Sequence, residues 1–205
     1  TVSKDHPILT PNGYVEAGKL TTKDYIVQPV RKITPGITSI NTVTRPLGSS
    51  RYGYKSERSY TVNEDLGWFV GMYLAEGVVT CNAGYRDRQE RPGYGSLCLQ
   101  TREIEEVSRR LKILFPEINQ RTQQNKNSLC VNLYLQDNGL AEWVYNNLGS
   151  AKTKHYADVF FNYGKEFNFG VFKGYLEGDG YVAKDINVVK ITSVRSDLLV
   201  QMRDV

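Results

Sequence analysis

The residues best placed to do chemistry are two carboxylates, Glu76 and Asp179, because each ends a segment that repeats the other. The first segment reads Leu66-Gly-Trp-Phe-Val-Gly-Met-Tyr-Leu-Ala-Glu-Gly77, and the second Phe169-Gly-Val-Phe-Lys-Gly-Tyr-Leu-Glu-Gly-Asp-Gly180. Gly67, Gly71 and Ala75 match Gly170, Gly174 and Gly178; Glu76 then matches Asp179 and Gly77 matches Gly180, every pair separated by the same 103 positions. Small residues four apart lie on one stripe of a helix. Glycine inside a helix costs roughly 1 kcal/mol relative to alanine, so a repeated stripe of it implies close backbone approach. The two stripes are therefore expected to pack on each other with their C-termini side by side, each terminated by the glycine that follows the acid. Two carboxylates at helix C-termini are opposed by the macrodipole and by each other. A divalent cation between them would remove that penalty, so matched acids in this position point to metal chemistry. A single copy would suit a core helix with a solvated acidic end equally well; two copies with matched acids do not.

The elements that must position these acids follow the same order after each segment. Residues 78–83 and 96–101 read as two strands joined by a Gly/Arg-rich tip, followed by a helix over about 102–114 with Ile104, Val107, Leu111 and Leu114 on one face. A polar strand from Asn119 to Gln124 then turns through Asn125-Lys126-Asn127 into a half-buried strand. There Leu129, Val131, Leu133 and Leu135 alternate with Cys130, Asn132 and Tyr134. A helix from Asn138 to Leu148 stops at Gly149. After the second segment, Val188–Thr192 reads as a strand, and Val194, Leu198, Met202 and Val205 mark one helix face. Thr101 and Ser193 lie only 92 positions apart, so the first hairpin is the longer by about 11 residues, among them Tyr85, Arg86, Arg88, Arg91 and Tyr94. The pattern is an α+β repeat.

These segments resemble the two signature motifs of the LAGLIDADG (dodecapeptide, DOD-type) homing endonucleases, over Phe69–Gly77 and Phe172–Gly180. The resemblance implies a pseudo-two-fold monomer of two αββαββα halves. It also implies hydrolysis of phosphodiester bonds in both strands of a long double-stranded DNA site with Mg²⁺. The last acid of each motif, Glu76 and Asp179, would hold the metal, with Glu76 in place of the commoner aspartate. Lys154 stands where the family often has a basic residue, without the proline that usually accompanies it, and is a candidate for stabilising charge at the scissile phosphate. The long hairpin, with Tyr85, Arg86, Arg88 and Arg91, and Lys190 of the second repeat are the candidates for DNA contact, since arginines on a twisted hairpin read guanine edges in the major groove. A non-cleaving DNA-binding module of the same fold, or a fragment that matters only for splicing, is the alternative. Residues 63–149 form the first repeat; 150–205 hold the start of a second, expected to lack its second hairpin and final helix and therefore to cut poorly as it stands.

Residues 1–29 read differently. Ser3-Lys-Asp-His6-Pro7, then Gly13-Tyr14, Ala17, Leu20 and Lys23-Asp24, resemble one block of self-splicing intein (Hint) domains, in which the histidine, here His6, assists cleavage at the N-terminal junction. Thr1 is too close to His6 for the first strands of such a domain, so only a short all-β fragment is expected, and the exteins of a host protein become the implied partners. Residues 30–62 carry Arg31, Lys32, Arg45, Arg51, Lys55 and Arg58 against one acid, Glu57, and read as a basic linker able to follow a DNA backbone. A net charge of +4 leans weakly the same way. Cys81, Cys98 and Cys130 show no metal-ligand spacing and read as reduced core thiols of an intracellular, cytoplasmic protein. No apolar run approaches the roughly 20 residues of a membrane span.

Overall fold

The computed structural model describes residues 2–27, 36–45, 55–83, 90–124, 129–183, 188–193 and 195–203. The chain divides into two compact units, Thr1–Lys32 and Ile33–Val205. The first holds an antiparallel hairpin of β1 (Pro7–Thr10) and β2 (Gly13–Glu16), with Pro7 opposite Glu16. Its turn needs a left-handed residue, and Gly13 supplies it at φ +107°. The Thr10 hydroxyl closes the turn by donating to the Gly13 carbonyl at 2.7 Å.

The second unit is a two-layer α+β structure. It opens with a hairpin of β3 (Ser39–Thr44) and β4 (Ser56–Thr61). Then come α1 (Glu64–Glu76), β5 (Gly77–Ala83), β6 (Glu90–Gln100), α2 (Ile104–Leu114), β7 (Gln120–Gln124), β8 (Cys130–Leu135) and α3 (Asn138–Leu148). The second motif follows as α4 (Lys165–Asp179), β9 (Gly180–Ala183), β10 (Val188–Ile191) and α5 (Ser196–Arg203). Strands β5 to β8 form one antiparallel sheet in the order β5-β6-β8-β7, while β9 and β10 pair separately. One face of the four-stranded sheet is covered by helices: Leu97, Leu133 and Leu135 are buried with Phe69 and Tyr73 of α1, Leu111 of α2 and Leu140 and Val144 of α3. Helix starts are set by side chains that accept the orphan amides. Asn63 accepts from Leu66 N at 2.9 Å, and Asp137 from Leu140 N at 2.7 Å.

Several expectations are corrected. The strand expected from residue 96 begins at Glu90, so β6 runs for 11 residues. Leu129, expected on the buried face, is 83% exposed because the strand begins after it. The basic segment 30–62 contains the β3–β4 hairpin, which buries Ile40 and Tyr60 in the core. Its Arg58 is committed to internal partners: it pairs with Asp137, donates to Thr44 Oγ1 at 2.8 Å, and meets Glu117 at 3.0 Å. The cysteines are half-buried, with Cys81 against the core. The Asn125–Asn127 turn, Val194 and Val205 lie outside the described residues, and no described helix is long and apolar enough to cross a membrane.

Candidate metal and nucleic-acid site

The two repeated segments become α1 and α4, which make the most extensive contact between any two elements. Their glycines explain how closely. A Cβ added at Gly67 would strike the carbonyl of Phe167, and one at Gly71 that of Val171. In return, Gly170 faces the carbonyl of Glu64, and Gly174 that of Trp68. Each glycine thus seats the other helix's backbone, and the contact is reciprocal as a pseudo-two-fold axis requires. Polar pins fix the register. Lys173 meets Glu64 at 2.5 Å, and Trp68 Nε1 donates to Glu177 at 2.5 Å. Arg110 of α2 lies 3.7 Å above the Trp68 ring and reaches Glu177 at 3.3 Å.

Both acids are the last residues of their helices. The glycines after them do not terminate the helices by a left-handed turn, as expected; Gly77 (φ −86°) and Gly180 (φ −98°) are extended. Space is the reason for glycine here, since a Cβ at Gly77 would strike the Tyr73 ring and one at Gly180 the Leu176 side chain. Burial, then the nearby Asp179, pushes the Glu76 carboxyl up to about 7. Burial also raises Asp179, against the pull of Lys154.

Lys154 is brought to this point by a pinned loop. Tyr73 donates to the Gly149 carbonyl at 2.7 Å, Val79 N donates to Ser150 Oγ at 2.9 Å, and Ser150 and Thr153 cap each other around a short 3-10 turn. Lys154 is 9% exposed, and its ammonium donates to the carbonyls of Leu74 (3.0 Å) and Ala75 (3.2 Å) at the end of α1. Burial brings it down to about 8, with Asp179 and Glu76 working against that shift. It therefore caps the helix whose last residue is Glu76 and partly offsets the charge of both acids.

The donor set suits a hard cation. Two carboxylates held together, both disfavoured as anions by burial, gain most from a divalent ion, and Mg²⁺ takes one or two protein carboxylates with waters or phosphate oxygens completing its shell. Among the described residues no group of three or more His, Cys, Asp or Glu side chains is placed to hold a metal ion; Glu76 and Asp179 could hold one only with water or phosphate oxygens completing its shell. A cleft of about 370 Å³ opens beside Glu76, lined also by Arg102, Glu103, Glu106 and Glu177.

Among the described residues, no helix covers the second face of the sheet. Opposed residues of an antiparallel pair share a face, so Cys98, Asn132 and Gln123 line up across β6, β8 and β7, and Tyr134 lies beside Arg121. Tyr94 packs edge-on against Tyr134 at 5.4 Å. Arg121, Asn132 and Tyr134 were not singled out from the sequence as site residues, although the alternation along β8 already placed Asn132 and Tyr134 opposite the core. Arg91 lies on β6, exposed, opposite Asn82, and Lys190 is exposed on β10 opposite Tyr181. Tyr85, Arg86 and Arg88 lie outside the described residues. His6 is in the other unit, exposed, its carbonyl accepting from Ala17 N at 2.8 Å.

The fold has a counterpart among known proteins. The chain has the fold of the homing endonuclease I-DmoI. A structure from a study of its mesophilic variants aligns at a TM-score of 0.53 with 11% identity, over 69% of this chain and 74% of that one. I-DmoI in complex with DNA and calcium gives 0.53 and 11% over 69% of each, and the complex with DNA and manganese gives 0.51 and 13% over 69% and 75%. In sequence, the chain is 26% identical over 162 residues to the DNA-directed RNA polymerase subunit Rpo1C of Methanocaldococcus jannaschii, covering 78% of this chain and 18% of that protein. No protein-family model matches the sequence.

Proposed function

We propose that this chain is the nuclease portion of an intein-embedded LAGLIDADG homing endonuclease, hydrolysing one phosphodiester in each strand of a long duplex site with Mg²⁺. The observation that carries this is the pairing of Glu76 and Asp179 at the ends of two reciprocally packed glycine-striped helices, in a chain with the fold of a homing endonuclease. Glu76 and Asp179 would hold the metal, which supplies an activated water and charge stabilisation at the leaving oxygen. Lys154 steadies the end of α1 and moderates repulsion between the acids. The uncovered sheet face, with Arg121, Asn132, Tyr134 and Tyr94, would lie along the DNA, joined by Arg91 of β6, by Lys190, and by Tyr85, Arg86 and Arg88. Support for the embedding comes from two sides. Residues 3–24 resemble a splicing block, with His6 as its assisting histidine. The alignment to less than a fifth of an RNA polymerase subunit is what a sequence inserted in a host protein would produce.

The test is made on the complete protein. Glu76→Gln and Asp179→Asn should each lower Mg²⁺-dependent double-strand cleavage by at least about 100-fold, a magnitude typical of removing one charge-stabilising group. Duplex binding in gel shift should stay within a few-fold of wild type. Wild-type cutting by both variants would remove the assignment; loss of binding together with cleavage would favour a structural role for the acids.

A further inference from the structure

Lys154 rides on a loop that both repeats hold, and the second set of holds comes from residues the nuclease reading leaves unused. The first repeat grips the start of the loop, through Tyr73 at Gly149 and Val79 at Ser150. The second repeat grips it on either side of Lys154. Arg195, which precedes α5, donates through Nη1 to the Lys152 carbonyl. Its guanidinium is itself held by Asp197, with Nε donating to Oδ1 at 2.8 Å. Two residues beyond Lys154, Tyr156 N donates to Gln201 Oε1 of α5 at 3.0 Å. The Tyr156 side chain is buried, and its hydroxyl donates to Asn168 Oδ1 of α4. Between these holds the Lys154 side chain crosses back to the first repeat, to the Leu74 and Ala75 carbonyls. A buried lysine gives up more rotamer freedom than most residues, so this reach requires a backbone fixed on both sides.

We infer that Arg195 and Gln201 are positioning residues for Lys154: they hold the backbone on both sides of it, so its ammonium is seated at the Glu76 end of α1 only while the second repeat is docked. Seating follows from the hydrogen bonds alone; its effect on cleavage rests on the nuclease reading. A displacement of about 1 Å at a reacting centre can cost on the order of 100-fold in rate, so residues that touch no substrate can still set it.

The test is acetylation of the full chain with a limiting amine-reactive ester, read site by site by peptide mass. Exposed Lys112 and Lys165 serve as internal references, and Lys154 of the wild type should label more slowly than either. Arg195→Ala and Gln201→Leu should each speed Lys154 labelling roughly fivefold, the change in local opening that one lost hydrogen bond brings. Gln201→Glu keeps an acceptor oxygen for Tyr156 N and should leave Lys154 protected. Arg58→Met, which weakens the tie of the β3–β4 hairpin to Asp137 instead, should not speed it. In the complete protein, Arg195→Ala and Gln201→Leu should slow single-turnover cleavage about tenfold with duplex affinity unchanged, and Gln201→Glu should keep the wild-type rate. Lys154 labelling unchanged in both variants, equally fast in Arg58→Met, or unprotected in Gln201→Glu would overturn the seating. Faster labelling with unchanged cleavage would overturn the positioning role. A wild-type protein that labels as expected but cuts no duplex would remove the nuclease reading, and the labelling would still decide the seating.

Discussion

Glu76 is where the cost of the site is concentrated. Its carboxyl titrates at about 7 in the fold against an ordinary value of 4.5, burial being the larger cause and Asp179 the second. The folded chain therefore holds a proton there that the unfolded chain has lost, and stability falls as pH rises from about 4.5 to about 7. In chelator, Glu76→Gln removes that decline. By denaturant unfolding it should match wild type within error at pH 4.5 and be more stable by ~2 kcal/mol at pH 7.5, taking about 1.4 kcal/mol per pKa unit and discounting for partial exposure. An equal difference at both pH values would show that the carboxyl is not strained by its surroundings. Metal should act in the same direction: Mg²⁺ binds only the anionic form, so its stabilising effect on wild type should grow through the same window. Lys154 belongs at this scale too, because a buried ammonium satisfied by Leu74 and Ala75 carbonyls is committed to the helix end before any substrate arrives.

At the scale of elements, the helix pair and the β3–β4 hairpin carry distinct loads. Gly71→Ala and Gly174→Ala each place a methyl against backbone carbonyls that cannot retreat without parting α1 from α4. Each should cost about 3 kcal/mol by denaturant unfolding. Gly95→Ala serves as the control, since a methyl there would meet nothing within 4 Å, and it should be close to neutral. The hairpin is tied to α3 through Asp137, which caps that helix, accepts from Thr44 Oγ1 at 2.6 Å and pairs with Arg58. The Asp137 side chain is only 2% exposed, so Arg58→Met leaves a buried charge without its cation. A loss of roughly 3 kcal/mol is expected, measured the same way. A loss below ~0.5 kcal/mol would mean that Thr44 and the helix amides satisfy Asp137 unaided.

For the molecule as a whole, the core lies in the second unit, from Ile40 to Leu198, with one sheet face against helices and the other uncovered. An uncovered face bearing Arg121 and the exposed Lys190 of β10 suits a polyanion, and the chain's charge of +4 adds to that attraction. If the proposed DNA contact holds, Arg121→Ala and Lys190→Ala should each flatten the log–log salt dependence of duplex binding by about 1, with little change in sequence preference. Unchanged slopes for both, by fluorescence anisotropy over a salt titration, would move the DNA surface elsewhere.

The sequence by itself determined which helices would meet and what would stand at their ends. Small residues four apart admit one packing, and the matched acids follow from the shared register. It also determined the element order from α1 to α3, because a period-3.6 pattern marks α2, a period-2 pattern marks β8 and Gly149 marks the stop of α3. The β3–β4 hairpin was not legible, because its strands are polar apart from Ile40, Val43 and Tyr60, and its ion pair joins Arg58 to Asp137 across 79 positions. Nor was the inward turn of Lys154, which depends on Tyr73 and Val79 gripping the loop after α3. The pairing of Cys98 with Asn132 required the β6–β8 register, since a strand's own alternation says which face a residue takes but not which neighbour it meets. Only tertiary structure decided these, because each depends on groups distant in sequence being brought together by the burial of others.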